Sequence, residues 1–168
     1  MRRARAAIGS AVFLVIAPGV FGGLMPWALA GWSADDDFAL ALRAFGGVVA
    51  LAGAAFVVAT FVRFVVEGIG TPAPVAPTEH LVVGGVYRHV RNPMYIAVLA
   101  VIAGQALLIG KPAILLYAVL FWAVVASFVR FYEEPALTRR FGEEYSAYRA
   151  AVPAWIPALR PRGRGNNI

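Results

Sequence analysis

Two short stretches concentrate the side chains able to do chemistry. Gly84-Gly-Val-Tyr-Arg-His-Val-Arg-Asn-Pro-Met-Tyr95 sets Tyr87, Arg88, His89, Arg91, Asn92 and Tyr95 between long apolar runs, and Arg130-Phe-Tyr-Glu-Glu134 sets paired carboxylates beside a guanidinium. Asn92 before Pro93 predicts a helix start, because Asn can cap free backbone N–H groups and Pro at the first helical position loses no needed donor. The positive end of that helix, with Arg88 and Arg91 just upstream, makes an anion-binding corner. The same basic residues would equally serve to anchor a helix at a membrane surface. Glu133 and Glu134 beside an apolar helix are costly unless solvated or holding a cationic ligand. They also fit a plainer role, as the acidic first turn of a helix running into Pro135.

Hydrophobic content of 61% and a mean hydropathy of +0.73 are too apolar for an ordinary soluble domain and imply a membrane protein. With no cysteine, disulfides, thiolate zinc sites and cysteine nucleophiles are excluded. The histidines are His80 and His89, and no His/Asp/Glu cluster has ligand spacing, so no metal centre is expected. The net charge of +6 comes almost wholly from Arg placed around apolar spans. That pattern reports membrane orientation and not nucleic acid.

The positioning elements read as helices. Ala6 to Ala30 follows Arg2, Arg3 and Arg5 without a charge and is long enough to cross a hydrocarbon core. Ala28-Leu-Ala30 also has the form of a signal-peptidase site, but the uncharged run exceeds an ordinary signal core and carries Pro18, Gly22, Gly23 and Pro26, so retention is expected. Asp35-Asp-Asp37 lacks calcium-loop spacing and reads as a solvated turn. The run between Arg43 and Arg63, with Gly46, Gly47 and Gly53 for close helix approach, is a second span. Pro93 to Ile109 and Ala113 to Val129, broken at Gly110-Lys-Pro112, form a hairpin of two more. Beyond Glu133, Leu137, Phe141, Tyr145, Tyr148 and Val152 recur on one helical face, predicting an amphipathic interfacial helix. Trp155 and the tail with Arg160, Arg162 and Arg164 read as an aromatic anchor and a basic segment for anionic lipid. The expectation is a single all-α integral membrane domain over 1–168. Residues 1–66 hold two transmembrane helices, 67–157 the chemical core and 158–168 a basic tail, with four spans and both termini cytoplasmic.

Gly85-Val-Tyr-Arg-His-Val-Arg-Asn-Pro-Met-Tyr95, a hydrophobic hairpin, then Glu133-Glu-Pro-Ala-Leu-Thr-Arg-Arg-Phe-Gly-Glu-Glu-Tyr-Ser-Ala-Tyr148 and Val152-Pro-Ala-Trp-Ile-Pro157 resemble the isoprenylcysteine carboxyl methyltransferases and their phospholipid N-methyltransferase relatives. The likeness runs from about Gly68 to Pro157, and it departs from the family at Arg91-Asn92-Pro93, where Arg-His-Pro is usual. It implies an integral-membrane enzyme using S-adenosylmethionine and a lipidic or lipid-soluble acceptor. On this resemblance Arg88, His89, Arg91, Asn92 and Pro93 bind the cofactor with Glu133 and Glu134. The two carboxylates suit its ammonium and the arginines or the helix end its carboxylate. Tyr87 and Tyr95 suit its adenine or sulfonium. Gly68-Ile-Gly70 matches the family's Gly-x-Gly in form and would equally serve as a helix cap. Arg130 is the residue expected to orient an anionic acceptor, with Glu134 as base were the acceptor an amine. A carboxylate acceptor is favoured. A phospholipid amine, or a non-catalytic four-helix scaffold, is the alternative.

Overall fold

The structure, a computed structural model, describes residues 18–31, 38–68 and 80–159, and their regular elements are helical throughout. They are α1 (Val20–Ala30) and α2 (Leu40–Gly68), α3 (Pro93–Ile109), α4 (Pro112–Phe128) and α5 (Glu134–Ala151), with a 3-10 turn at Gly85–Arg88. Arg2, Arg3, Arg5, the first part of the expected first span, Asp35 to Asp37, Gly70 and the tail from Arg160 lie outside the described residues.

Proline and glycine set the boundaries of the hairpin. Pro93 and Pro112 stand in the first turns of α3 and α4, and α3 stops at Gly110, whose φ of 78° is left-handed. α3 is the central helix and packs against α1, α2 and α4. It touches α2 backbone to backbone: a Cβ on Gly46 would lie 2.6 Å from the Gly104 carbonyl oxygen, and one on Gly104 would lie 2.5 Å from the Ala50 nitrogen. Small residues give this contact in hydrocarbon, where helices associate by close packing and not by expulsion of water. Ile102, Ile114, Val98, Ala106 and Ile109 fill the core.

Large apolar side chains point outward instead. Leu40, Phe45, Val48, Leu51, Val58 and Val62 on α2, and Leu116, Val119, Leu120 and Val124 on α4, are exposed. Small residues inside and large apolar ones outside suit a hydrocarbon surround. Among the described residues α2 and the helical run Pro112–Ala151 are long and apolar enough to cross a membrane, while Val20–Ala30 and Pro93–Ile109 are shorter.

Two π turns, Val20–Leu24 and Val129–Glu133, were not expected. Each ends two residues before a proline, Pro26 or Pro135. In α-helical register a proline ring strikes the carbonyl four residues earlier and offers it no N–H; widening the turn relieves the clash. In α1 two carbonyls of the widened turn are met by side chains from neighbouring helices. Gln105 Nε2 donates to the Gly22 oxygen at 2.5 Å and the Tyr117 hydroxyl to the Phe21 oxygen at 2.9 Å.

The second π turn corrects the expected break between the fourth span and the amphipathic helix. α4 runs through Val129–Glu133 into α5 without interruption, because the π turn accommodates Pro135. The chain bends at Gly142 instead, with φ 53° and ψ −122°, a conformation open to glycine. On α5 the predicted face is the covered one. Tyr145 and Val152 are buried and Leu137, Phe141 and Tyr148 partly so, whereas Arg139, Arg140, Glu143 and Glu144 are exposed.

Candidate functional site

The chain after α5 turns back over the residues that precede α3. The Arg91 amide donates to the Pro153 oxygen at 2.9 Å, the Asn92 amide to Ala154 at 3.3 Å, and the Ala158 amide to His89 at 2.9 Å. Side chains repeat the pairing. His89 Nδ1 meets the Ala158 oxygen at 2.8 Å, Arg91 Nε donates to Val152 at 3.0 Å and Asn92 Nδ2 to Ala154 at 3.1 Å. Residues 152–158 thus form a strap across the start of α3.

This overturns the capping role expected of Asn92. It occupies the position before Pro93, but its side chain makes no cap hydrogen bond to α3. The amide is turned to the strap, where the Ala154 carbonyl needs a donor. Arg91 likewise serves the protein itself: Nη1 donates to Glu134 Oε1 at 2.7 Å and to the Tyr145 hydroxyl at 3.2 Å. Tyr148 donates to the Tyr87 carbonyl at 2.7 Å, fixing α5 to the 3-10 turn. Burial pushes the Tyr148 phenol up and raises that of Tyr145 against the opposing pull of Arg91, so both stay protonated at neutral pH.

The two adjacent glutamates have different surroundings. Glu134 is 5% exposed. Besides the bond from Arg91, its Oε2 lies 3.3 Å from Arg149 and 3.6 Å from Arg130 yet receives no hydrogen bond. Glu133 is half-buried and, among the described residues, accepts one hydrogen bond, from the Tyr95 hydroxyl at 3.3 Å. Burial raises its carboxyl above the usual range; the Tyr95 bond opposes the shift and the neighbouring Glu134 charge adds to it. A carboxylate in that condition gains from a cation, while Glu134 already has its cations.

Other predicted residues divide in the same way. Tyr87 and Pro93 are buried and Arg88 is exposed, with no acidic partner among the described residues. Arg130 is largely solvent-facing. Gly68 ends α2, and it is Arg63 on that helix that reaches the 3-10 turn, its guanidinium filling the space a Cβ on Gly85 would need. Trp155, read from the sequence only as an interfacial anchor, stands in the site. Its ring centre is 6.4 Å from that of Tyr95 and 6.2 Å, edge-on, from that of Trp122. Its place between Pro153 and Pro157, residues that cannot continue a helix, is the one sequence signal that could have marked it.

Residues 41–144 match the family described as phospholipid methyltransferase. The chain is also similar to Protein-S-isoprenylcysteine O-methyltransferase of Schizosaccharomyces pombe, at 32% identity over 83 residues, which are 48% of this chain and 35% of that protein. The match therefore spans about a third of that relative's length. Both motif stretches lie inside the matched residues, and the strap lies outside 41–144.

Proposed function

Because the chain belongs to the phospholipid methyltransferase family, we propose that it is an integral-membrane, S-adenosylmethionine-dependent methyltransferase acting on a lipidic or lipid-soluble acceptor. The observation that carries this reading is the meeting of two motifs distant in sequence, Arg91 with Glu134 and Tyr95 with Glu133, at the end of the α3–α4 hairpin. The donor set fits the cofactor. Glu133, half-buried with a single long hydrogen bond, would take its ammonium, and exposed Arg88 its carboxylate. When bound, the cofactor supplies an electrophilic methyl group on a sulfonium.

The protein's own tasks are alignment and exclusion of water. Glu134 would act by position: fastened to Arg91, it holds α5 and the loop before α3 in register. Arg130 on the exposed side of that pair would orient a carboxylate acceptor, which is the favoured substrate class. A phospholipid amine is the second reading, favoured by the burial that raises the Glu133 carboxyl above its ordinary value, since an ammonium acceptor must first give up a proton to a base. On that second reading Glu133 would serve as the base in place of Glu134, and would then not hold the cofactor's ammonium. Four spans, with α1 and α3 crossing beside α2 and α4 and the site on the cytoplasmic side, complete the proposal.

Calorimetric titration of the detergent-purified protein with S-adenosylmethionine tests it. Saturable binding is expected, weakened about tenfold or more by Glu133→Gln, since a hydrogen bond to a charged group contributes about 1.5–3 kcal/mol. Absence of binding by the native protein would leave a scaffold as the better account.

A further inference from the structure

We propose that Trp155 determines which acceptors the site takes, by filling the gap between Tyr95 on α3 and Trp122 on α4 where the Glu133 end of the site meets the apolar surface. The inference rests on the reading of the site given above. Glu133, Tyr95, Trp155 and Trp122 form an unbroken series: a hydrogen bond from Tyr95 to Glu133, then two ring contacts. The series begins at a half-buried carboxylate and ends on the outward face of α4, where Trp122 is 44% exposed.

Depth separates this role from simple anchoring. The strap backbone is pinned level with His89 to Asn92, ahead of the first residue of α3. Trp122 lies within α4, twelve residues before Glu134, the partner of Arg91 beside the strap. The Trp155 side chain must therefore reach inward from the strap. An anchoring indole would instead face outward, as its neighbours do: Ile156 is 80% and Leu159 99% exposed, while Trp155 is packed against rings on two different helices. An apolar acceptor group directed at Glu133 from the lipid side meets this indole first. The size of the residue there limits the group that can lie alongside, and such apolar walls discriminate by about 10–200-fold per small increment in size.

The test uses the full chain in phospholipid nanodiscs. The probes are N-acetyl-S-geranylcysteine, the longer N-acetyl-S-farnesylcysteine, and phosphatidylethanolamines of short and long acyl chain. For each, kcat/KM is measured alongside the dissociation constant of S-adenosylmethionine. Trp155→Ala should raise the ratio of longer to shorter probe by about tenfold or more, chiefly through KM, with cofactor affinity unchanged, and Trp155→Phe should fall between. Trp122→Ala opens the gap from the other side, should move the ratio in the same direction, and carries the test if Trp155→Ala does not fold. Cofactor binding and turnover with an unmoved ratio in the Ala variants would overturn this inference alone. A native protein that neither binds the cofactor nor methylates any probe would overturn the reading of the site and this inference with it.

Discussion

The π turn in α1 and the π turn joining α4 to α5 arise from the same cause and end in different uses. Both stand just before a proline and both widen the helix. In α1 the consequence stays with the backbone: carbonyls of Phe21 and Gly22 are completed by Tyr117 and Gln105 from the neighbouring helices, which ties α1 to the hairpin. At the end of α4 the consequence passes to side chains. Glu133 and Glu134, about 100° apart around the helix, turn to different partners, Tyr95 and Arg91. The difference teaches that proline sets the backbone problem while the surroundings decide the answer. Where neighbouring helices enclose the turn the freed groups are met by their side chains; where polar groups gather, the same widening can present charge.

The largest effect expected is that of Arg91→Leu. It leaves the buried Glu134 without its close partner and removes the Val152 anchor of the strap, and breaking such a pair costs about 3–5 kcal/mol. Thermal unfolding in detergent should show a large loss, whereas Glu133→Gln should change stability little. Equal losses from the two would erase the division of labour between the adjacent glutamates.

Gln105→Leu is the corresponding break in α1. It deprives the buried Gly22 carbonyl of the Gln105 donor, and a buried polar group left unpaired costs about 1–3 kcal/mol. The unpartnered Gln105 Oε1 is removed by the same change, which holds the net loss toward the lower end of that range. Chemical denaturation of Gln105→Leu beside the native protein measures it, and an unchanged midpoint would show that α1 does not depend on this bond.

Much of this was legible beforehand, and the reasons for the rest are physical. Pro93, Gly110 and Pro112 fix the hairpin because their backbone preferences are local. The Leu137 to Val152 face is legible because burial follows helical periodicity. Glu133-Glu134 before Pro135 reads as a fresh helix start unless a π turn precedes it, and nothing in Val129 to Glu133 announces one. Gly142 could not be distinguished from other helical glycines without its φ. The strap was hidden because its pairing joins residues about sixty apart through backbone groups, which carry no sequence signature. That pairing also decides Asn92, whose amide could have bonded α3 as well as Ala154.

The raised Glu133 carboxyl gives a pH signature that the α1 turn cannot have. Its pKa in the free site is above the ordinary value, and a bound ammonium favours the ionised form. Affinity for S-adenosylmethionine should therefore be full above the free-site pKa and fall as pH drops through it, by about tenfold per unit, or about 1.4 kcal/mol. Titration calorimetry across that range checks the slope. Glu133→Gln should flatten it, and Gln105→Leu should leave it intact.

The smallest effect expected belongs to Tyr117→Phe, at about 0.5–1.5 kcal/mol for one hydrogen bond on a more exposed face. Its value lies in combination with Pro26→Ala. Met25 now donates to the Val20 oxygen, five residues back. If the proline causes the π turn, Pro26→Ala lets α1 return to α-helical register, in which the residue 25 amide serves the Phe21 carbonyl and the new residue 26 amide serves Gly22. Both Tyr117→Phe and Gln105→Leu should then become nearly silent in the Pro26→Ala background. If the π turn persists for another reason, the new amide reaches Phe21 instead, so Tyr117→Phe is rescued while Gln105→Leu keeps its full cost. Unfolding midpoints of the two double variants against the three single ones separate these outcomes, and the second would end the claim that the two turns share a cause.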